Sequence, residues 1–267
     1  MSVQASKLQV EQFPCLNDNY GTPDHLLMTS CAGLTAAIDT PELKPYLHVL
    51  ERKGWKLDYI LNTHHHFDHA GCNLELKKST GCKASEIVGP KGEKDKIPGI
   101  DIAVDQGDTF DFGAKKIHVL NVGGHTHGHI AYFLPEENCA FVGDSLFALG
   151  CGRLFEGTFP QMYDSLQRLA SLPDDTVLYC AHEYTMSNAK FALSVEPGNP
   201  MLQKRFEQIK KLREVGNPTV PSLLSEEKAT NPFLRTSSPE IRNSLKLSPD
   251  AKDVEVFAAI RKAKDNF

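Results

Sequence analysis

Residues 62–71 read Asn62-Thr63-His64-His65-His66-Phe67-Asp68-His69-Ala70-Gly71 and are the part of this chain richest in metal-binding side chains. Six consecutive residues hold four imidazoles and one carboxylate, which are preferred ligands of divalent metals. A histidine tag would lie at a terminus, whereas this segment is internal and follows the apolar run 57–61, which has the composition of a buried strand. The segment therefore predicts a metal site in a loop at the end of a strand.

The order of residues within this segment predicts how the ligands divide. In an extended or tightly looped backbone, alternate side chains project to the same side. His64, His66 and Asp68 then point one way, and His65 points away. His69 follows Asp68 directly and cannot serve the same point as the first two histidines. The spacing therefore predicts two metals side by side, one on His64 and His66 and the other on Asp68 and His69.

Two metals need more ligands than this loop supplies, and three candidates lie downstream. His125, Asp144 and His182 each follow an apolar run with the composition of a strand. His127 and His129 stay open, either as neighbours that orient a ligand or as loop residues. In sheets that carry helices on their faces, sites form in the loops beyond the strand ends. Four strands that end in ligand-type residues therefore predict one shared rim.

We assign these ligands to two divalent ions bridged by one carboxylate, which has two oxygens to share. The predicted set is His64, His66 and His125 for metal one, Asp68, His69 and His182 for metal two, and Asp144 between them. A water or hydroxide completes the bridge, because the ions of two-metal hydrolytic sites lie about 3.5–4 Å apart. Zinc is the expected ion, and iron or manganese also suits these ligands.

The apolar patterns change along the chain, with strands and helices alternating first and helices alone afterwards. Strands are predicted at 36–39, 57–61, 113–122 and 131–142, and helices at 41–53, 161–170, 201–215 and 253–264, with a helix start at Ser238-Pro239. No strand pattern is visible past residue 183. The expected fold class is α/β: sheets with outer helices in a metal-binding catalytic domain at 1–182, then a helical domain at 183–267.

Composition limits the possible partners. The 267 residues are 40% hydrophobic and 24% charged, as in ordinary soluble globular proteins. No apolar run approaches the ~20 residues that a transmembrane helix needs, so no membrane partner is expected. Residues 183–267 hold 14 Lys and Arg against 11 Asp and Glu within a chain of net charge −5. This mildly basic end suits an anionic small substrate but is too weak for nucleic acid.

The cysteines indicate a reducing compartment. Seven occur, an odd number, and none forms a Cys-x-x-Cys pair, which disfavours a disulfide framework. Cys72 and Cys151 lie near the predicted site, but no fixed base partner supports a nucleophilic role for either. Residues 1–7 have neither an apolar signal core nor an Arg-rich leader. We expect a monomer in the cytoplasm or the mitochondrial matrix.

Several segments together resemble glyoxalase II, the hydroxyacylglutathione hydrolase of the metallo-β-lactamase superfamily. They are THHHFDHAG (63–71), GGHTHGHI (123–130), VGDSLF (142–147), GCGRLFEGT (150–158), HEYTMSNAKFALSVEPGN (182–199), NPFLR (231–235) and IRKAKDNF (260–267). The resemblance runs from about residue 8 to the last residue and looks closest to the plant mitochondrial type. It implies a metallo-β-lactamase-type αββα sandwich followed by a smaller all-helical domain, with the seven metal ligands assigned above.

The resemblance also implies a substrate. The family hydrolyses S-(2-hydroxyacyl)glutathione thioesters such as S-D-lactoylglutathione to a 2-hydroxy acid and glutathione, a step of methylglyoxal detoxification. Its glutathione contacts correspond to Arg153, Phe155, Tyr184, Arg261 and Lys264. Asp68 would hold its metal and accept a hydrogen bond from the nucleophile. Phe155 lacks the hydroxyl of the Tyr that is common in the family, and Gly21–His25 also departs from its pattern, so both bear on specificity.

Three alternative functions share part of this pattern. A persulfide dioxygenase with one iron has the same histidine-rich loop but generally lacks the long helical end and its terminal basic pair. A β-lactamase needs no such end for its substrate. A non-enzymatic metal-binding protein needs no residues that contact a thiol substrate. The number of metals per chain separates the dioxygenase from a two-metal hydrolase.

Overall fold

The computed structural model describes residues 8–17, 23–31, 33–81 and 86–267, with the backbone alone for 17 and 23–31. The side chains of the atypical segment Gly21–His25 therefore lie outside the described residues. The chain divides into two compact units. The first runs to Asn121 and includes His127–Gly143, and the second holds Val122–Thr126 and Asp144–Phe267.

The first unit contains a six-stranded sheet. Its strands, in spatial order, are β1 (Gln9–Asn17), β2 (Pro23–Cys31), β3 (Leu34–Ile38), β4 (Tyr59–Leu61), β5 (Glu86–Pro90) and β6 (Ile102–Val104). β1, β2 and β3 pair antiparallel, and β3 to β6 pair parallel. Parallel strands end at the same edge of a sheet, so the residues that follow β3 and β4 meet there. The segment after β4 is the histidine-rich loop.

Three helices of this unit follow the strands. They are α1 (Leu43–Lys53), α2 (Phe67–Ala70) and α3 (Asn73–Ser79). The helix predicted at 41–53 is thus present, and it ends at Gly54 in the left-handed region (φ 64°), which suits glycine. Tyr46 and Leu50 of α1 pack in one apolar cluster with Ile60 of β4 and Ile87 of β5. Burial of each such side chain stabilises the fold by about 1.5–3 kcal/mol.

A second set of strands in this unit contacts the histidine-rich loop. β7 (Thr109–Phe112), β8 (Lys115–Asn121), β9 (Ile130–Leu134) and β10 (Cys139–Gly143) pair antiparallel in the order β10-β9-β8-β7. The buried Tyr132 hydroxyl of β9 donates to the Asn62 carbonyl at 2.7 Å. The Ile130 N–H donates to the Thr63 carbonyl at 2.9 Å. Both bonds fix the backbone where the loop begins.

The second unit is mainly helical. Its helices are α4 (Phe159–Ala170), α5 (Thr185–Val195), α6 (Pro200–Glu214), α7 (Leu224–Thr230), α8 (Pro239–Ser244) and α9 (Asp253–Asp265). Two short antiparallel strand pairs accompany them. One is the hairpin of β11 (Leu146–Phe147) and β12 (Gly150–Cys151), and the other joins β13 (Val177–Cys180) to β14 (Ser222–Leu223), which follows α6 in the chain. Leu149, Ala192, Leu202 and Ile209 share an apolar cluster that joins the hairpin to α5 and α6.

The helical stripes predicted at 201–215 and 253–264 form α6 and α9, and the Ser238-Pro239 signal begins α8. Strand β14 was not predicted, because two residues are too few to show an alternating pattern. No helix in the described part of the chain is both long enough and apolar enough to cross a bilayer.

Candidate metal centre

Four predicted ligands lie in the first unit, on the loop after β4 and on α2. His64 Nε2 lies 3.0 Å from His66 Nδ1, and Asp68 Oδ2 lies 3.7 Å from His69 Nε2. Two ligand atoms on a tetrahedral zinc, each about 2.0–2.1 Å from the ion, lie about 3.3 Å apart. Both separations suit a shared ion. The four side chains thus include two close pairs, but residues 67–70 form a helix, whereas the alternation assumed an extended backbone. The His64 and His69 rings are also close, with centroids 4.1 Å apart.

Three predicted ligands lie in the second unit, at the ends of different chain segments. One carboxylate oxygen, Asp144 Oδ2, lies 3.3 Å from His125 Nε2 and 3.2 Å from His182 Nε2. All three side chains are buried. One oxygen of this carboxylate is at ligand-to-ligand distance from two imidazole nitrogens, so it can share a metal ion with each of them, and this donor set fits zinc.

The hydrogen bonding of His125 selects the ring nitrogen that faces a metal. Its Nδ1 lies 2.7 Å from the carbonyl oxygen of Arg153. A carbonyl only accepts, so Nδ1 carries the hydrogen and Nε2 carries the lone pair. Nε2 is the atom that faces Asp144. Metal-binding histidines commonly have their other N–H fixed in this way.

Asp39 anchors the histidine-rich loop from the end of β3, and sequence analysis missed this role. Its buried carboxylate accepts from the Thr63 N–H at 2.8 Å, from the Thr63 hydroxyl at 2.8 Å and from His69 Nδ1 at 2.7 Å. The last bond leaves His69 Nε2 with the lone pair. The available signal was an acidic residue at the end of an apolar strand. Only the parallel pairing of β3 with β4 brings it to the loop.

A second buried carboxylate, that of Glu93, also holds the loop, and it follows the loop in the sequence whereas Asp39 precedes it. Its Oε2 accepts from the backbone N–H of His65 at 2.9 Å and lies 2.8 Å from His65 Nδ1. Its Oε1 accepts from the Gly128 N–H at 2.8 Å. A Cβ on Gly128 would lie 2.7 Å from Glu93 Cγ, so glycine is required there. His65 thus contacts a carboxylate, whereas its two neighbours, His64 and His66, contact each other.

Two family descriptions together match almost the whole chain. The model described as "Metallo-beta-lactamase superfamily" matches residues 32–182. The model described as "Hydroxyacylglutathione hydrolase C-terminus" matches residues 183–267. The hydroxyacylglutathione hydrolase of Methylococcus capsulatus is 52% identical over 260 residues, which are 97% of this chain and 99% of the relative. That of Rhizobium meliloti is 50% identical with the same coverage.

The chain belongs to the hydroxyacylglutathione hydrolase family. Solved structures of lower identity share its fold. ETHE1 from Myxococcus xanthus has a TM-score of 0.63 at 24% identity and covers 96% of this chain and 97% of its own. A metallo-β-lactamase from Staphylococcus aureus has a TM-score of 0.63 at 21% identity, with coverage of 97% and 72%. The predicted family and the metallo-β-lactamase-type fold with a helical C-terminal region are confirmed.

Two aromatic residues expected to contact glutathione in this family lie against metal-ligand rings of the second unit. The Tyr184 ring stacks on His182 with centroids 4.8 Å apart and an interplanar angle of 10°. The Phe155 ring meets His125 edge-on at 5.1 Å and is 64% exposed. Each therefore presents an aromatic surface directly beside a predicted ligand.

The three basic residues expected to contact glutathione differ in their surroundings. Arg261 is only 3% exposed, and its guanidinium donates to the Cys151 carbonyl at 2.8 Å and to Asp265 at 2.8 Å. Lys264 Nζ donates to the Ser187 hydroxyl at 3.0 Å. Arg153 is largely exposed and lies 4.0 Å from Asp265. Sequence analysis predicted the positive charges but not the burial of Arg261.

Burial and neighbouring cations set the protonation of Lys264. Burial, followed by the charges of Arg261 and Arg153, lowers the pKa of Lys264 to about 8. This ammonium therefore begins to lose its proton just above neutral pH, well below the pH at which an ordinary lysine does.

The two cysteines near the site are not poised as nucleophiles. Burial raises the pKa of Cys151 to about 11, although Arg261 opposes the shift. Burial and the charge of Glu75 raise the pKa of Cys72 to about 11. A thiol rather than a thiolate is present at neutral pH, and thiolate is the reactive form. Neither Cys72 nor Cys151 forms a disulfide.

Replacement of Asp39 by Asn should weaken metal binding by about 10- to 100-fold, the usual effect of losing a group that orients a ligand. In the asparagine side chain an NH2 group replaces one carboxylate oxygen and would face a donor of Thr63 or His69, so all three hydrogen bonds cannot be kept. Competition with a chelator of known affinity measures the effect. Asp58→Asn is the matched control, because Asp58 accepts from the Thr35 N–H at 2.8 Å at the other end of the same strands. Equal metal affinity in the two variants would contradict the role of Asp39.

Replacement of Asp144 by Asn should remove most activity while the chain stays folded, because an amide cannot offer two anionic oxygens. Metal analysis and turnover on one sample measure this, and circular dichroism checks the fold. Two tightly bound ions with near-normal turnover would exclude the bridging role.

Proposed function

We propose that this chain hydrolyses S-(2-hydroxyacyl)glutathione thioesters, such as S-D-lactoylglutathione, to a 2-hydroxy acid and glutathione. Two divalent ions would be held by His64, His66, Asp68, His69, His125, Asp144 and His182. Family membership supports the reaction, since relatives near 50% identity over nearly the full chain are hydroxyacylglutathione hydrolases. The ligand-to-ligand distances within each unit support the metal set. The single observation that carries the proposal is Asp144 Oδ2 facing two imidazole nitrogens.

The bound metals would supply an activated water near neutral pH and polarise the thioester carbonyl. Asp68, whose side chain is 41% exposed, would orient the attacking water by accepting its hydrogen through a carboxylate oxygen. His125 keeps its proton at Nδ1 and His69 keeps its proton at Nδ1, so both rings stay in the tautomer that binds metal. The glutathione thiol has an intrinsic pKa near ~8.5. The leaving thiolate therefore needs no dedicated general acid.

Substrate recognition would use the aromatic and basic residues of the second unit. Phe155 and Tyr184 lie beside His125 and His182, so they would flank the thioester end of the substrate. Lys264 and Arg153 offer accessible positive charge for a carboxylate of glutathione. Arg261 adds charge to the same patch while its N–H groups bind Cys151 and Asp265. Phe155 cannot donate a hydrogen bond and would contribute apolar contact alone.

The proposal extends to domains and setting. Residues 1–182 would form the metal-binding catalytic domain and residues 183–267 the substrate-binding domain. The chain would act as a monomer with zinc, and with iron or manganese as possible substitutes. A reducing compartment, the cytoplasm or the mitochondrial matrix, suits the free cysteines Cys72, Cys139, Cys151 and Cys180.

Metal removal and reloading test the reaction. Chelated protein should lose hydrolysis of S-D-lactoylglutathione, and zinc should restore it up to about two ions per chain. Asp144→Asn carried through the same steps is the control, because it should not regain activity. Full hydrolysis after chelation would contradict the metal-dependent mechanism. Saturation at one ion, with oxygen consumption on a persulfide, would replace the hydrolase with a dioxygenase.

The pKa of Lys264 predicts how substrate binding depends on pH. Lys264 is charged below a pKa of about 8 and loses its charge above it, so KM for S-D-lactoylglutathione should rise as pH increases from 7 to 9. Lys264→Arg keeps the charge across this range and should flatten the rise. Initial rates corrected for spontaneous hydrolysis give both curves. Parallel curves for parent and Lys264→Arg would show that Lys264 does not bind the substrate.

A further inference from the structure

Side chains from the helical part of the second unit hold the turn between β11 and β12. Asn231 Nδ2 donates to the carbonyl of Phe147 at 3.2 Å and to that of Gly150 at 3.0 Å. Glu227 Oε2 accepts from the Leu149 N–H at 2.9 Å. Leu149 has a left-handed backbone (φ 58°), which a branched side chain rarely adopts. The surrounding hydrogen bonds must therefore determine this conformation.

Both residues that hold the turn are buried, and one of them, Glu227, is charged. Glu227 and Asn231 are fully buried, and Asn231 Nδ2 also donates to Glu227 Oε2 at 3.0 Å. Arg205 forms a buried ion pair with Glu227 and donates to the Thr230 hydroxyl at 2.7 Å. A buried ion pair contributes little net stability compared with apolar packing. Its value here lies in the fixed orientation of the Glu227 carboxylate toward the turn.

A third contact completes the support of the turn. Asn188 Nδ2 of α5 donates to the Ala148 carbonyl at 3.1 Å. A Cβ on Gly150 would lie 2.4 Å from the same nitrogen, so only glycine fits there. Side chains from α5 and from the C-terminal end of α7 thus fix the backbone of four residues, 147–150.

The turn 147–150 contacts residues that are proposed to bind glutathione. Phe147 meets the Tyr184 ring edge-on at 5.4 Å and the His182 ring at 5.9 Å. Cys151, one residue beyond Gly150, accepts from Arg261 through its carbonyl at 2.8 Å. A displacement of the turn would therefore move a tyrosine and an arginine of the substrate site together.

We infer that Asn231 and Glu227 are positioning residues for glutathione recognition that act through the turn 147–150. The inference rests on the proposed function, because it assigns these residues to the same substrate site. Neither residue is placed against the substrate. Their effect would be mainly on KM for the glutathione thioester, since neither residue contacts a proposed metal ligand and the turn meets one, His182, only through the Phe147 ring.

Asn231→Ser tests this inference in the full metal-loaded chain. Serine can still accept from the Phe233 N–H, as Asn231 Oδ1 does at 3.0 Å, but it loses the amide donors to the turn. We expect KM for S-D-lactoylglutathione to rise about tenfold or more, as misplacement of binding groups does. The value of kcat should stay within about twofold, and metal content should not change. KM for a lactoyl thioester of a small thiol without the glutathione arms should not change.

Asn199→Ser is the matched control. Asn199 is also a buried asparagine that caps a helix, accepting from Met201 N–H at 3.0 Å and donating to the Ala229 carbonyl at 2.9 Å. It has no bond to the turn. A comparable loss of thermal stability with unchanged KM is expected. A rise in KM confined to Asn231→Ser supports the inference, whereas an unchanged KM in Asn231→Ser, or an equal rise in both variants, overturns it.

A second variant keeps the test decisive if Asn231→Ser does not fold. Glu227→Gln keeps the shape of the side chain but removes the charge that Arg205 orients, and the same rise in KM is expected. An unchanged KM in a folded Glu227→Gln would overturn the inference while the parent enzyme remained active. An inactive, zinc-loaded parent would instead overturn the proposed function and this inference with it.

Discussion

Hydrogen bonds to the Asp39 carboxylate hold the histidine-rich loop in place, and the proposed metal centre depends on them. Three donors, two from Thr63 and one from His69, converge on the two buried oxygens of Asp39. Because β3 and β4 are parallel and adjacent, Asp39 at the end of β3 lies next to the loop that follows β4. One carboxylate thus fixes both the backbone at the start of the loop and the tautomer of the last histidine.

Within each unit, the proposed metal ligands already lie at distances from one another that suit a shared ion. His64 with His66, and Asp68 with His69, have suitable separations within the first unit. In the second unit Asp144 faces two histidines. Carbonyl and carboxylate acceptors hold the opposite nitrogens of His125 and His69, so little reorganisation of these rings is needed on metal binding. Such preorganisation favours tight binding and a well-defined position for the activated water.

Sequence patterns predicted the elements whose signals are local. The stripes of α6 and α9 and the family segments all concern neighbouring residues, whereas the predicted alternation missed that Asp68 lies in helix α2. Asp39, Glu93 and Asn231 were missed because their roles come from hydrogen bonds between distant positions. Asn231 and its acceptor Phe147, for example, are 84 residues apart. The burial of Arg261 was missed for the same reason, since its partner Cys151 is 110 residues away.

A crystal structure of the zinc-loaded enzyme with anomalous diffraction data tests the central claim most directly. The account predicts two zinc peaks about 3.5–4 Å apart. One would be bound by His64, His66 and His125, and the other by Asp68, His69 and His182, with Asp144 bound to both. A single fully occupied peak, or a pair of ions that Asp144 does not bridge, would contradict it.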